Sequence, residues 1–177
     1  MVIASENLEH SGLVSGSDQA YVVGQIHPGL EEITISEFFA RTVSRYPDRE
    51  ACIFCQSGER WTWSQLSQKV DQLAAGLLAI GVYKGDRVGI WSPNKPEWVL
   101  AQFATARIGA ILVNINPAYR RAELKYALAK VGVKVLITAE SFKSSNYLEM
   151  LTDLIPEPCL LYTSPSPRDQ RGSGLAG

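Results

Sequence analysis

Two cysteines, Cys52 and Cys55, have the spacing of a redox-active pair or of half a zinc site. A zinc site needs two more ligands at a compatible spacing, and the two histidines, His10 and His27, lie far upstream in polar sequence. The apolar run over residues 51–55 also predicts a strand, on which side chains three residues apart point to opposite faces. We therefore interpret both cysteines as ordinary buried thiols, and we predict no metal site.

The sequence pattern most similar to a phosphate-binding loop contains three glycines, Gly81, Gly85 and Gly89. Their spacing of four matches neither the dinucleotide-binding nor the P-loop pattern, and they precede a predicted strand where such loops follow one. The glycines are more typical of a helix end followed by a turn. No serine lies in a nucleophile elbow, and neither histidine has an obvious nucleophile or carboxylate partner.

Two other segments have polar residues that could contact a ligand. Asn94-Lys-Pro-Glu-Trp98 follows a predicted strand end, where α/β proteins place ligand loops, although turn and helix-capping roles are the favoured interpretation. Arg120 and Arg121 could meet a phosphate, but a solvated helix start is favoured, and the pair Glu31-Glu32 is interpreted as solvated charge. The residues by themselves predict no catalytic, cofactor-binding or metal-binding residue.

The elements around these segments can be predicted from local signals. Capping boxes at Thr34 and Thr62 predict the starts of two helices, the second of which ends at Gly81. The sequence between the two helices predicts a hairpin with strands at residues 51–54 and 61–63.

Downstream of Gly81 the sequence alternates between short apolar runs and helical patterns. Such runs indicate parallel strands that are covered on both faces. We predict an α/β fold with a doubly wound, mostly parallel sheet and a small N-terminal hairpin. The predicted strands are residues 87–91, 110–114 and 134–138, and the predicted helices are residues 96–108, 122–131 and 145–154.

Length and composition exclude several classes of binding partner. The 177 residues suit one domain, and the formal net charge of −1 lacks the basic surplus that nucleic acids and polybasic membrane contacts require. No run approaches the roughly 18 apolar residues of a membrane span. The first 40 residues contain no lysine or arginine, so neither a secretory signal nor an arginine-rich transit peptide is expected. We expect a cytoplasmic location.

Several segments resemble, in order and spacing over residues 34–155, the N-terminal region of the adenylate-forming superfamily, which includes acyl-CoA synthetases, luciferases and peptide-synthetase adenylation domains. The segment Asn114-Ile-Asn-Pro-Ala-Tyr119 is more specifically similar to medium-chain fatty acyl-CoA synthetases. The superfamily resemblance is carried by Trp61-Thr-Trp-Ser-Gln-Leu66, Gly81-Val-Tyr-Lys-Gly-Asp-Arg-Val88, Asn94-Lys-Pro-Glu-Trp98 and Ala104-Thr-Ala-Arg-Ile-Gly-Ala110.

The resemblance implies a two-step reaction, in which a fatty acid and ATP give an acyl-adenylate and pyrophosphate, and coenzyme A then displaces AMP. It implies Mg²⁺, ATP and coenzyme A for the parent enzyme. In members of the family, the phosphate loop, the ribose-binding acid and the catalytic lysine all follow the region that this sequence resembles. They have no counterpart here, so we expect this fragment to bind no cofactor and to be inactive. An aryl-CoA ligase and a non-enzymatic α/β binding module remain open alternatives.

The resemblance divides the chain into an N-terminal arm at residues 1–33, a partial synthetase domain at residues 34–158 and a tail at residues 159–177. The tail begins with eleven residues that match a translated transposase-type sequencing adapter. We therefore expect the natural sequence to diverge near Pro158. Tyr162-Thr-Ser164 imitates the start of the phosphate loop, but Pro165 lacks the N–H that the loop's glycine would offer.

Overall fold

The computed structural model describes residues 29–55 and 57–154. His10, His27, most of the predicted arm, the Tyr162-Thr-Ser164 segment and the predicted tail lie outside the described residues. The elements in chain order are α1 (Ile35–Arg45), β1 (Glu50–Phe54), β2 (Glu59–Thr62), α2 (Trp63–Ala79), β3 (Arg87–Trp91), α3 (Pro96–Ile108), β4 (Ile111–Asn114), α4 (Arg121–Val131), β5 (Val135–Thr138), β6 (Ser141–Phe142), β7 (Ser145–Asn146) and α5 (Tyr147–Thr152).

Both predicted capping boxes are present. The Thr62 hydroxyl accepts a hydrogen bond from the Gln65 N–H at 3.3 Å, and the Gln65 side chain accepts one from the Thr62 N–H at 2.9 Å. Thr34 and Glu37 make the same reciprocal pair at the start of α1. Between these helices β1 and β2 form the predicted antiparallel hairpin. Trp63 was wrongly predicted to end β2, because the Thr62 cap makes it the first residue of α2.

The three longer strands after α2 form a parallel sheet in the order β4-β3-β5. Val88 on the central strand lies opposite Leu112 on one side and Val135 on the other. The connection from β3 to β4 moves one way across the sheet, and the connection from β4 to β5 moves back past β3. Since parallel crossovers are right-handed, the opposite directions place α3 and α4 on opposite faces. The predicted doubly wound α/β fold is confirmed.

Each face of the sheet has its own apolar core. Val88 packs with α2 and α3, in a cluster that includes Val70, Leu77 and Ala104. Trp91 faces the other way and packs with α4 and α5, in a cluster that includes Leu124, Tyr147 and Met150. The alternation along β3 follows the two-residue period of a strand. The central strand therefore joins two cores, and both of its ends are held in place.

The last predicted helix is shorter than expected. Ser145 and Asn146 pair with β6 in a small antiparallel ladder, and α5 begins only at Tyr147. The Asn146 side chain accepts a hydrogen bond from the Glu149 N–H at 3.1 Å, so Asn146 is the N-cap of α5. The prediction of one helix over residues 145–154 was wrong at its start, which the Asn146 cap and the β6 pairing fix at Tyr147, and α5 ends at Thr152, two residues before the predicted end.

Within residues 29–55 and 57–154, no helix combines the length and the apolar character that a bilayer crossing requires.

Candidate functional site

By topology, the carboxyl ends of β3 and β4 form the candidate ligand edge of this fold. The two strands are neighbours, yet the loop after β3 leads to α3 on one face and the loop after β4 leads to α4 on the other. Open α/β sheets bind ligands where adjacent strands send their connections to opposite faces. We call residues 92–95 and 115–120 together the switch-point edge.

The loop after β3 is held by short polar contacts. Ser92 is buried, and its hydroxyl donates a hydrogen bond to the Pro93 carbonyl at 2.9 Å. The indole N–H of Trp98 donates to the Ser92 carbonyl at 3.0 Å. Lys95 is the N-cap of α3 and makes no side-chain capping bond, so the predicted capping role of the Asn94 segment was wrong. Pro96 takes the first helical position, as predicted.

The loop after β4 is a turn centred on Asn116. The side-chain oxygen of Asn116 accepts a hydrogen bond from the Ala118 N–H at 2.9 Å, and its carbonyl accepts one from the Tyr119 N–H at 3.0 Å. The N–H of Ile115 donates to the Ile90 carbonyl at 3.0 Å and so continues the pairing with β3. This Asx turn leaves the side chains of Asn116 and Tyr119 exposed at the edge.

Two stacked aromatic rings support this turn from beneath. Trp91 ends β3 and Tyr147 begins α5, and their ring centroids lie 3.6 Å apart with an interplanar angle of 10°. The Trp91 indole N–H donates to the Asn116 carbonyl at 3.1 Å, and the Tyr147 hydroxyl donates to the Pro117 carbonyl. Burial raises the pKa of the Tyr147 hydroxyl above its ordinary value. The hydroxyl therefore keeps its proton and remains a donor.

The chemistry available at this edge is binding chemistry. Among the described residues, every buried side-chain nitrogen and oxygen has a hydrogen-bond partner, and no group of three or more His, Cys, Asp or Glu could hold a metal ion. Besides the polar atoms of the buried tryptophan and tyrosine side chains, the buried polar side chains among the described residues are Ser92 and Thr105, and Thr105 bonds to its own helix. The edge offers backbone and amide groups, the Tyr119 hydroxyl and the exposed cationic side chains of Lys95 and Arg120 to a ligand. We assign it no general acid, general base or nucleophile.

The structure separates the two cysteines. Cys52 is half-buried on β1, and burial raises the pKa of its thiol. Cys55 is exposed, because it follows the end of β1 in the hairpin turn. The interpretation as two buried thiols was therefore wrong for Cys55. The predicted glycine turn is confirmed, since Gly81 and Gly85 both have the positive φ angles of +83° and +87° that favour glycine.

The arginine pair at the start of α4 is exposed to solvent and also makes polar contacts within the protein. Arg120 is the N-cap, and its N–H donates to the Glu123 carboxylate at 3.1 Å. Arg121 lies 2.6 Å from the Asp153 carboxylate and 3.8 Å from that of Glu149, so it joins α4 to α5. Both arginines are exposed at the start of α4, as the solvated interpretation predicts, and the ion pairs of Arg121 are surface contacts.

Glu31 also has a partner, because it forms an ion pair with Arg41 on α1. Both side chains of this pair are exposed, so the interpretation of Glu31 as solvated charge is confirmed and the ion pair is a surface contact.

Sequence reasoning missed Trp91 and Tyr147. Each is an aromatic residue in a predicted strand or helix, and both are fully buried. The available signal was chemical, because a buried indole or phenol usually needs a hydrogen-bond partner. The sequence could not show that both partners belong to one loop.

Comparison with known proteins places these features in a family. The family model described as AMP-binding enzyme matches residues 39–173. Medium-chain acyl-CoA ligase ACSF2, mitochondrial, of Danio rerio is 48% identical over 138 residues, which cover 78% of this chain and 23% of the relative. The protein of the same name from Bos taurus is 42% identical over 155 residues, which cover 88% of this chain and 25% of that relative.

A solved structure of a Mycobacterium tuberculosis fatty acyl CoA synthetase is similar with a TM-score of 0.58 and 28% identity, over 59% of this chain and 21% of that one. The chain thus spans about a quarter of the length of the curated relatives. The resemblance predicted from the sequence is confirmed. Because the family model matches more than half of its residues, the chain belongs to the AMP-binding enzyme family.

Proposed function

We propose that the full-length protein containing this chain is an ATP-dependent fatty acyl-CoA ligase. The observation that carries the proposal is the 48% identity over 138 residues to a medium-chain acyl-CoA ligase. In the first step a fatty acid carboxylate attacks ATP, and pyrophosphate leaves as the acyl-adenylate forms. In the second step the thiol of coenzyme A attacks the acyl carbonyl, and AMP leaves.

The described residues contribute to this reaction as a structural scaffold and through the switch-point edge. Adenylate-forming chemistry uses Mg²⁺ to neutralise phosphate charge. Among the described residues, no group of three or more His, Cys, Asp or Glu could hold a metal ion. We therefore assign no residue of this chain to the metal.

The proposal has a genetic and a biochemical test. The uninterrupted gene should continue into a Ser/Thr/Gly-rich phosphate loop and a C-terminal lysine, whereas a natural stop codon near residue 158 would contradict the proposal. The full-length protein should catalyse ATP–pyrophosphate exchange with octanoate and release AMP when coenzyme A is added. Absence of exchange with any carboxylate would overturn the ligase and favour a non-enzymatic α/β binding module.

The same assay decides between substrate classes. Exchange with benzoate and not with octanoate would identify an aryl-CoA ligase, the alternative that the sequence leaves open. The identity to medium-chain acyl-CoA ligases favours the fatty acid, and the chain length that reacts fastest is read from a series of saturated fatty acids.

A cytoplasmic location, expected from the sequence, stays a prediction. The two relatives named above are called mitochondrial. Fractionation of cells that express the full-length protein would decide the location, and recovery in the organelle fraction would contradict the prediction.

A further inference from the structure

The turn after β4 accepts two hydrogen bonds from outside the loop, in addition to the bonds that close the turn itself. An Asx turn closes with bonds inside the loop, and Asn116 makes these bonds to Ala118 and Tyr119. Two further donors reach the same turn from residues that are distant along the chain, Trp91 and Tyr147. The carbonyls they bind belong to consecutive residues, Asn116 and Pro117. The orientation of this stretch of backbone is thereby fixed from outside the loop.

The two donors act as one rigid body. Their rings stack at 3.6 Å, and both are fully excluded from solvent. Trp91 is tied to β5 through its carbonyl, which accepts hydrogen bonds from the Thr138 hydroxyl and the Ala139 N–H, both at 3.2 Å. The Tyr147 N–H donates to the Glu140 carbonyl at 2.9 Å. The stack therefore connects the carboxyl ends of all three parallel strands.

We infer that Trp91 and Tyr147 are positioning residues, which hold the turn at residues 115–119 in the conformation that presents Asn116 and Tyr119 to the bound substrate. The inference rests on the proposed function. Neither ring contacts the ligand, since both lie beneath the turn, and the exposed side chains of the turn form the edge itself. A turn that is already ordered when substrate arrives lowers the entropy cost of binding.

The decisive variant is Tyr147→Phe in the full-length protein, because it removes one donor and keeps the ring and its stacking. Tyr126→Phe is the matched control. It removes a hydroxyl from the exposed face of α4, where that group accepts one hydrogen bond from the described residues, from Lys130 at 2.9 Å. Trp91→Phe is the second variant, and it removes the other donor at the cost of some buried surface.

We expect hydrogen exchange of the peptide covering residues 115–120 to become about fivefold faster in Tyr147→Phe, as loss of one hydrogen bond suggests. We expect kcat/KM for acyl-adenylate formation to fall about tenfold, with the melting temperature close to that of the wild type. Tyr126→Phe should change none of these quantities. Trp91→Phe should repeat the loop loosening and the loss of kcat/KM.

Three outcomes would overturn the inference. They are unchanged loop exchange in Tyr147→Phe, faster loop exchange with kcat/KM within twofold of the wild type, and a loss of activity that merely follows the fraction of unfolded protein. If the wild-type protein activates no carboxylate, the proposed function fails. The exchange measurement then still decides whether the stack holds the turn.

Discussion

The ammonium group of Lys134 lies 2.6 Å from a carboxylate oxygen of Asp86 and 2.7 Å from the carbonyl oxygen of Gly81. The same carboxylate oxygen accepts a hydrogen bond from the Tyr83 N–H at 2.8 Å. These bonds tie the end of α2 and the turn before β3 to the residue that precedes β5. They lie at the amino ends of the strands, away from the switch-point edge, so their role is to hold the sheet together.

This contact predicts a loss of stability in acid. The Lys134 side-chain hydrogen bond, followed by that of the Tyr83 N–H, holds the pKa of Asp86 below its ordinary value of 3.8. A carboxylate with a lowered folded-state pKa stabilises the fold above the unfolded-state value, and the contribution disappears as pH falls through the folded-state pKa. In the full-length protein, Asp86→Asn should lower the melting temperature at pH 7 and reduce the further loss below pH 4.

The control for that experiment is Asp48→Asn, which changes an exposed carboxylate outside the ion pairs of the described residues. Because Asp48 is in none of those ion pairs, this substitution should leave the melting temperature at pH 7 unchanged. Equal acid sensitivity of wild type and Asp86→Asn would contradict the role given to Lys134 and Asp86.

The capping box of α2 should contribute measurably to local stability. Thr62→Ala removes the acceptor for the Gln65 N–H, and such N-cap losses cost about 1 kcal/mol. Thr62→Ser keeps a hydroxyl and should retain most of that stability. Native-state hydrogen exchange of α2 amides in the full-length protein measures the difference. If the α2 amides exchanged at the same rate in the alanine and serine variants, the Thr62 hydroxyl would not contribute to the stability of the helix.

Glycine substitutions at two positions should have opposite effects. A Cβ at position 89 would lie 3.0 Å from a Leu136 methyl and 3.1 Å from a Val133 methyl, so Gly89→Ala should destabilise the fold by about 1–3 kcal/mol. At Gly76, on the exposed face of α2, a Cβ would meet nothing within 4 Å. Gly76→Ala should therefore stabilise by about 0.5–1 kcal/mol, because alanine favours helix. Thermal melts of the full-length variants test the direction of each stability change. An unchanged melting temperature for Gly89→Ala would show that the packing around β3 can accommodate a methyl group.

The isolated 177-residue chain should aggregate and should show no ATP–pyrophosphate exchange with any fatty acid. Within the part of the chain described by the structure, β4 and β5 each pair with a neighbour on one side only, and Ile111 on β4 is 52% exposed. Size-exclusion chromatography and the exchange assay check the two statements. A soluble monomer with one sharp cooperative melt would contradict the first, and measurable exchange would contradict the second.

The helix boundaries were largely predictable from local chemistry. Thr34 and Thr62 cap their helices by bonds that span three residues, and Pro96, Gly109 and Gly132 act through their own backbone angles. Interactions of such short range can be recognised in a sequence without knowledge of the fold. The apolar runs of the three parallel strands identified the fold class for the same reason.

The strand order and the candidate site depended on contacts between distant residues. Local pattern does not specify that β4 and β5 lie on either side of β3, and that order creates the switch-point edge. Trp91 reaches a carbonyl 25 residues away and Tyr147 reaches one 30 residues away. Arg121 likewise finds its partners on α5. The sequence by itself determined most of the elements and the apolar faces, because these depend on short-range periodicity and capping. The family was indicated by the resemblance of its motifs, which the family model confirms. Only the tertiary structure decided which loops meet at the carboxyl edge and which buried rings hold them, because packing selects partners that no local spacing encodes.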